Sequence, residues 1–318
     1  MRAVTLTHND LDGLGCLVML MIKFRPEEHF FSNYHDFEKV ASRIIKYKYE
    51  HGVDTLLIAD LSFSEHKDIL RRLAHAFEGN IFLVDHHMYP EGFWSEFSFR
   101  HVIDTSRCAT RILFEDLKLK DDIKDKEFAA RTHEFVTLVD TWDRYQDTNT
   151  LFERAMYTKE MLEGMKTDNA SLVSIAKDLI GHHYGILGAL DSFKTAYDAG
   201  YIKRRQELDN LELIWRFPRV TFIFDWDYMP KFLADEYNNG QHIVVAVKYG
   251  IFKVRISRHG GIPEDSINTL RFKLTGMKDF CHLHAFTYKT ECHTPAQIAT
   301  ECKRILDAVN EMDFGGNV

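Results

Sequence analysis

Cysteine is scarce in this sequence, with five among 318 residues and no two of them spaced as a Cys-x-x-Cys pair. A disulfide-rich secreted scaffold is therefore excluded, and the thiols are expected to be reduced. This usage is typical of a cytoplasmic protein, which is the location that we expect.

Long apolar runs are also missing. The longest, residues 17–22, ends at Lys23, and a run of this length fits a buried helix and is too short to cross a membrane. Residues 1–3 lead directly into a predicted strand, without the charged and apolar regions of a signal peptide. We therefore expect no signal peptide and no membrane partner.

An excess of positive charge is absent as well, because 40 basic side chains stand against 48 acidic ones and the net charge is −8. A basic surface for long nucleic acid is not expected at this charge. A small anionic substrate stays compatible with the sequence, because bound metal ions would carry their own positive charge.

The sequence does have enough apolar residues, 45% of the chain, to bury a large core and form two domains. Residues 1–150 alternate short apolar strands with helices, which predicts an α/β domain with a mostly parallel sheet flanked by helices. Residues 151–214 are interpreted as a helical connector. Residues 215–318 are predicted to form a smaller mixed α/β domain with antiparallel strands and a C-terminal helix.

Three predicted strands of the first domain end in aspartate or histidine. The strand predicted over residues 4–7 is followed by His8, Asp10 and Asp12. The strand over residues 55–59 is followed by Asp60, and the strand over residues 81–84 is followed by Asp85, His86 and His87. Because the carboxyl ends of parallel strands meet at one edge of a sheet, these side chains are expected to lie together. A helix predicted over residues 125–142 can bring Asp140 to the same edge.

So many carboxylates at one edge would repel each other unless cations neutralised them. The mixture of oxygen and nitrogen donors suits Mn²⁺ or Mg²⁺ better than a metal that prefers thiolates. Two such ions sharing one carboxylate could activate a water and stabilise the leaving oxygen of an in-line displacement at phosphorus. We therefore predict a two-metal centre, with manganese as the first choice.

Two local patterns lead to further expectations. Gly13-Leu14-Gly15 suggests a dinucleotide-binding loop, but the third glycine of that motif would fall at Val18, so this interpretation is not adopted. Residues 12–15 are instead expected to turn the chain into a helix over residues 16–24. Thr105 or Ser106 is predicted to cap a later helix, whose first backbone amides would face an anion.

Four short motifs resemble, in order and spacing, those of the DHH phosphoesterases. They are His8-Asn9-Asp10-Leu11-Asp12-Gly13, Asp60, Asp85-His86-His87 and Asp140-Thr141. The family includes RecJ-type exonucleases, oligoribonuclease and pAp phosphatases of the NrnA and NrnB kind, cyclic-dinucleotide phosphodiesterases and family II pyrophosphatases. The resemblance covers residues 1–145 and is nearest in kind to the NrnA and NrnB type.

The resemblance implies a role for each matching residue. The implied metal ligands are His8, Asp10 and Asp60 for one ion, and Asp12, Asp60, His86 and Asp140 for the other, with Asp60 bridging. Asp85 would support these ligands in catalysis, and His87 would face the substrate phosphate. Asp143, one helical turn after Asp140, is the competing candidate for its role.

Residues 215–318 resemble the DHH-associated domain of the same family. There a glycine-rich loop ending in Gly-His-x-x-Ala approaches the substrate, whereas this chain has Phe280-Cys281-His282-Leu283-His284-Ala285. By this resemblance His282 would contact the substrate. An arginine of the preceding strand, Arg258 as the first choice or Arg255 as the alternative, would bind a phosphate through its guanidinium group. The missing glycines leave the conformation of the loop open.

The sequence thus predicts a manganese-dependent phosphodiesterase or phosphatase that hydrolyses short oligonucleotides, such as pApA, or small nucleotides. A metal-bridged hydroxide would act in a cleft between the two domains. The alternatives are a cyclic-dinucleotide phosphodiesterase, an inorganic pyrophosphatase and a non-catalytic module that sequesters a nucleotide. Family II pyrophosphatases space their first motif as His-x-x-x-Asp-x-Asp, unlike this chain. The sequence leaves the oligomeric state open, with a homodimer as one option.

Overall fold

The computed structural model describes residues 2–144, 150–165, 168–224, 229–248, 251–257, 262–275, 285–290 and 294–312. Contacts divide the chain into two compact units, Met1–Phe193 and Lys194–Val318. Residues 151–214, which the sequence analysis interprets as a helical connector, contribute helices to both units. The division into three segments with separate roles, residues 1–150, 151–214 and 215–318, stays a prediction.

The first unit contains a five-stranded sheet in the order β2-β1-β3-β4-β5, and all of its neighbouring strands are parallel. Its strands are β1 (Ala3–His8), β2 (Glu28–Ser32), β3 (Thr55–Ala59), β4 (Ile81–Asp85) and β5 (Arg100–Ile103). The central strands are almost entirely buried, as expected where helices cover both faces of a parallel sheet. The predicted α/β fold with a mostly parallel sheet is confirmed.

Helices follow or separate these strands and then continue as a helical run. They are α1 (Leu11–Phe24), α2 (Phe37–His51), α3 (Lys67–Ala76), α4 (Ala109–Asp116), α5 (Leu119–Asp122), α6 (Lys126–Arg144), α7 (Thr150–Gly164), α8 (Asn169–Gly181) and α9 (Leu190–Asn210). Helix α1 packs against α4 and α8, and α6 packs against α7. In the described part of the chain, no helix has both the length and the apolar character needed to cross a membrane.

Helix α1 begins at Leu11, earlier than the predicted start at residue 16. The reason is Asp10, whose carboxylate Oδ1 accepts a hydrogen bond from Gly13 N at 3.0 Å and caps the helix. Residues 12–15 therefore form the first turns of α1 and not a separate turn. Gly15 serves close packing, because a Cβ atom there would lie 2.3 Å from Thr110 Oγ1.

The second unit contains a five-stranded sheet in the order β10-β9-β8-β7-β6. Its elements are β6 (Ile214–Arg216), β7 (Val220–Ile223), α10 (Met229–Asn238), β8 (Ile243–Lys248), β9 (Ile251–Ile256), α11 (Glu264–Thr275), β10 (Ala285–Lys289) and α12 (Pro295–Asn310). The predicted hairpin is confirmed by the antiparallel pair β8 and β9. Strands β7 and β8 are parallel, because α10 lies between them in the chain and provides the crossover, so the sheet is mixed.

Candidate metal centre

The register of the parallel sheet brings the ends of three strands to the same level. Thr7 of β1 lies opposite Ala59 of β3, and Ala59 lies opposite Val84 of β4. His8, Asp60 and Asp85 follow these residues directly, so they leave the sheet side by side at its carboxyl edge. This is the edge at which parallel α/β sheets bind their ligands.

The first group of possible metal donors consists of His8, Asp10 and Asp60, whose donor atoms all lie within 4.8 Å of one another. His8 Nδ1 lies 2.8 Å from Asp10 Oδ2. Because Asp10 also caps α1, the start of that helix determines where its carboxylate lies.

The second group consists of Asp12, His86 and Asp143, again with donor atoms within 4.8 Å of one another. His86 Nδ1 lies 3.4 Å from Asp143 Oδ2, and His86 Nε2 lies 3.8 Å from Asp12 Oδ2. Asp12 and His86 are buried, and Asp143 is partly exposed. Helices α1 and α6 and the segment after β4 thus each contribute one donor.

Asp60 lies between these two groups, and it forms a third group of possible donors with Asp85, His86 and His87. Its Oδ1 is 3.1 Å from His86 Nε2, and it also completes the group with His8 and Asp10. Its Oδ2 is buried and has no hydrogen-bond partner among the residues that the structure describes. A buried carboxylate oxygen without a donor is costly unless a cation meets it. This unpartnered oxygen is the observation that best fits a metal ion.

The N-terminus of α4 holds Asp12 in place. Asp12 Oδ2 accepts a hydrogen bond from Ala109 N at 2.9 Å, and Asp12 Oδ1 accepts one from Thr110 N at 2.8 Å. The hydroxyl of Thr110 donates to the backbone carbonyl of Asp12 at 2.8 Å. Each carboxylate oxygen can accept more than one bond, so these contacts are compatible with metal binding.

The predicted cap of α4 is wrong. The helix begins at Ala109 with Cys108 in the cap position, and neither Thr105 nor Ser106 caps it. The first amides of the helix donate to Asp12 and to Asp140, so the expectation that they face a substrate anion is also wrong.

Asp140 has a different environment from the other expected ligands. Its Oδ1 accepts a hydrogen bond from Cys108 N at 2.9 Å, and its Oδ2 accepts one from Arg111 Nη1 at 2.8 Å. Asp143, one turn further along α6, joins the second donor group instead. The ligand role of Asp140 stays a prediction, and the geometry favours Asp143 as ligand and Asp140 as the anchor of α4.

Asp85 is fully buried and supports His87. Its Oδ1 accepts a hydrogen bond from His86 N at 2.9 Å and lies 2.7 Å from His87 Nδ1, while its Oδ2 accepts one from Tyr89 OH at 2.6 Å. Although burial would raise the pKa of Asp85, His87, His86 and Tyr89 lower this pKa to about 2. Asp85 is therefore an ionised acceptor that orients His87.

Repulsion between the remaining carboxylates is strong. Burial, followed by the charges of Asp12 and Asp10, raises the pKa of Asp60 well above its usual range. Burial, Asp143 and Asp10 raise the pKa of Asp12 to about 6, although His86 and Thr110 lower it. Burial would lower the pKa of His86, but Asp143, Asp60 and Asp12 raise it. Bound cations would relieve this repulsion between carboxylates.

The donor set fits divalent ions of the Mn²⁺ and Mg²⁺ type. Carboxylate oxygens predominate, two imidazoles are present, and thiolates are not needed. The buried thiols nearest to the centre, Cys16 and Cys108, have pKa values well above the ordinary value because of burial and the charge of Asp12. They are therefore neutral and unsuited to bind metal.

Seven of the predicted site residues come together in the structure: His8, Asp10, Asp12, Asp60, Asp85, His86 and His87. Arg258 and His282 lie outside the described residues, and their roles stay predictions. Sequence reasoning missed Tyr89 and Arg111, because a single tyrosine or arginine carries no spacing signal.

Two matched substitutions in α6 distinguish Asp140 from Asp143. We expect Asp143→Asn to weaken Mn²⁺ binding by at least about tenfold, because a charged donor is lost. Asp140→Asn is expected to lower the free energy of unfolding by about 1–3 kcal/mol, because a charged acceptor for Arg111 is lost, with a smaller effect on Mn²⁺. Calorimetric titration and urea unfolding measure the two effects. If Asp140→Asn weakened Mn²⁺ binding more than Asp143→Asn, Asp140 and not Asp143 would be the metal ligand.

Comparisons with known proteins find similarity to solved structures. No family model and no curated protein sequence matches the chain. The pGpG-specific phosphodiesterase PggH from Vibrio cholerae superposes with a TM-score of 0.59 at 13% identity, covering 98% of this chain and 100% of that one. RecJ from Thermus thermophilus, solved with Mn²⁺, superposes with a TM-score of 0.56 at 12% identity, covering 98% of this chain and 52% of that one. These two superpositions show that the chain shares its fold with PggH and RecJ.

Proposed function

We propose that the protein is a metal-dependent phosphodiesterase that hydrolyses short linear oligonucleotides or small nucleotides. The observation that carries this proposal is the position of Asp60, which lies between two groups of metal donors and whose buried Oδ2 accepts no described hydrogen bond. Paired divalent sites with a shared carboxylate are typical of enzymes that hydrolyse phosphate esters.

The donor groups support a proposal of two ions, with Mn²⁺ as the expected metal and Mg²⁺ as the alternative. His8, Asp10 and Asp60 would hold one ion, and Asp12, His86 and Asp143 would hold the other, with Asp60 between them. When bound, such ions lower the pKa of a water molecule and draw negative charge from the phosphoryl oxygens.

The residues around the ligands orient the reacting groups. Asp85 accepts a hydrogen bond from His87 Nδ1, so Nε2 is the ring nitrogen with which His87 would meet a phosphoryl oxygen. Because His87 and Asp85 are both buried, their hydrogen bond is shielded from bulk water and holds the ring in one orientation. This arrangement supports the role of His87 as a phosphate contact.

Short substrates are favoured by charge and by chain length. The net charge of −8 does not favour long nucleic acid. PggH, which the chain covers over its whole length, is specific for pGpG, a linear dinucleotide, whereas the chain covers about half of RecJ. These findings support a substrate of about dinucleotide size.

A hydrolysis panel tests the proposal. Purified protein is assayed with Mn²⁺, with Mg²⁺ and with EDTA on pGpG, pApA, a five-nucleotide RNA, pAp, cyclic di-AMP and pyrophosphate. We expect Mn²⁺-dependent cleavage of the linear dinucleotides, abolished by EDTA. Turnover of pyrophosphate or cyclic di-AMP alone would move the protein to the corresponding alternative. Tight nucleotide binding without any turnover would identify a sequestering module and refute the proposal.

A further inference from the structure

Tyr89 lies two residues after His87, and its hydroxyl oxygen meets three polar groups. It lies 2.6 Å from Asp85 Oδ2 and 3.2 Å from the carbonyl oxygen of Leu61, and it accepts a hydrogen bond from Phe63 N at 3.2 Å. A phenol has only one proton to donate. The shorter contact, to an ionised carboxylate, takes that proton because charge-assisted hydrogen bonds are the stronger ones.

The aromatic ring of Tyr89 is held by its neighbours. Its centroid lies 4.8 Å from that of Phe93 and 4.6 Å from that of Trp94, in tilted and edge-on arrangements. Such contacts stabilise the ring in one orientation. The hydroxyl group is therefore positioned by packing as well as by its own hydrogen bonds.

The hydroxyl of Tyr89, together with the backbone amide of His86 that donates to Oδ1, holds Asp85 with one oxygen toward His87. Asp85 Oδ2 is directed to Tyr89, which leaves Oδ1 for His87 Nδ1 at 2.7 Å. Without the hydroxyl group, Oδ2 would lose a buried donor, and the carboxylate could turn between two orientations. His87 would then no longer be held with the same ring nitrogen toward the substrate.

The same hydroxyl group joins the segments that follow β3 and β4. Leu61 and Phe63 lie one and three residues after Asp60, and Tyr89 lies two residues after His87. One phenol oxygen therefore connects the segment of the shared metal donor to the residue that orients His87. A residue in this position would influence the site through Asp85.

We propose that Tyr89 is a positioning residue, which acts through Asp85 to hold His87 with Nε2 toward the phosphate of the substrate. The catalytic part of this inference rests on the proposed function. The orientation of the His87 ring is independent of it and can be measured without a substrate.

The substitution Tyr89→Phe tests the inference, with Tyr184→Phe as the matched control. Tyr184 is also buried in the first unit, where its ring packs on Phe128 and Phe135. We expect Tyr89→Phe to lower kcat on a linear dinucleotide roughly 10–100-fold with little change in KM or Mn²⁺ affinity. Tyr184→Phe is expected to leave kcat unchanged.

Nitrogen NMR of histidine-labelled, metal-free protein provides the second readout. The ring signals of His87 are assigned by their absence in His87→Gln. We expect Tyr89→Phe to shift these signals, Asp85→Asn to shift them as well, and Tyr184→Phe to leave them in place. Both tyrosine variants remove one hydroxyl group and keep the aromatic ring, so both are expected to stay folded.

The outcomes separate this inference from the proposed function. Unchanged His87 signals in Tyr89→Phe would overturn it, even if kcat fell, because Tyr89 would then act by another route. Shifted signals with unchanged kcat would overturn the catalytic part. If the parent protein hydrolyses nothing, the proposed function fails, and the NMR signals alone decide whether Tyr89 positions His87.

Discussion

Asp60→Asn is expected to abolish most of the activity while leaving the protein folded. Metal ions contribute several kcal/mol to transition-state stabilisation, and each 1.4 kcal/mol corresponds to about tenfold, so kcat is expected to fall by about three orders of magnitude. The variant keeps the size of the side chain, and asparagine tolerates the left-handed backbone of this position, where φ is +58°. Steady-state assays and Mn²⁺ titration measure the loss.

The same substitution is expected to raise the Tm of the metal-free protein. Since the folded-state pKa of Asp60 lies above the ordinary value, the metal-free parent loses stability as pH rises from the ordinary carboxyl pKa through the raised one. Asparagine carries no ionisable group, so the variant does not lose stability in this way. Near neutral pH its Tm is expected to exceed that of the metal-free parent by roughly 2–4 °C for each kcal/mol of charge repulsion that the substitution removes. In the parent, Mn²⁺ is expected to raise Tm, and in Asp60→Asn this increase is expected to disappear.

Asp68→Asn is the matched control, because Asp68 lies on α3 with an 88% exposed side chain. It is expected to change neither the activity nor the effect of Mn²⁺ on Tm. If Asp60→Asn kept its Mn²⁺-dependent increase in Tm, Asp60 would not be a metal ligand. The proposed two-ion arrangement would then be refuted.

Gly13→Ala is expected to destabilise the first unit strongly. A Cβ atom at this position would lie 1.9 Å from the carbonyl oxygen of His8 and 2.5 Å from its carbonyl carbon. Both atoms belong to backbone, so β1 and α1 would have to move apart. We expect the free energy of unfolding to fall by about 3 kcal/mol, the upper end for steric overpacking. Mn²⁺ binding is expected to weaken as well, because His8 and Asp10 lie at this junction.

Gly164→Ala is the control for this substitution. Gly164 ends α7, and a Cβ atom there would meet nothing within 4 Å. Alanine is expected to be neutral or to stabilise by up to about 1 kcal/mol, because it has the higher helix propensity. Urea unfolding of both variants measures the difference. Equal stabilities of the two variants would contradict the close approach of α1 to β1.

The parallel sheet was predictable because its strands are short apolar runs that end in polar residues. Strands β1, β3 and β4 have this pattern, and burial on both faces leaves little else that they could form. The start of α1 was not predictable from periodicity, since it depends on a hydrogen bond from Gly13 N to the Asp10 side chain. The parallel pairing of β7 with β8 depends on the path of the chain through α10, which local pattern does not specify.

Most of the candidate centre was predictable because its residues follow strands directly. His8, Asp60 and Asp85 reach the same edge through the register of the sheet alone. The distinction between Asp140 and Asp143 was not predictable, because it depends on hydrogen bonds from Cys108 and Arg111, about 30 positions away in the chain. Long-range contacts of this kind leave no mark on residue spacing.

The left-handed backbone at Asp60 also has an evolutionary consequence. Asparagine and aspartate adopt such a φ angle more readily than most other residues with a side chain, so asparagine can replace aspartate here with little backbone strain. Asparagine is one base change from aspartate in the genetic code, and we expect it to preserve the fold. Genetic drift at this codon would therefore tend to yield an intact protein without catalysis, rather than one with a rebuilt centre.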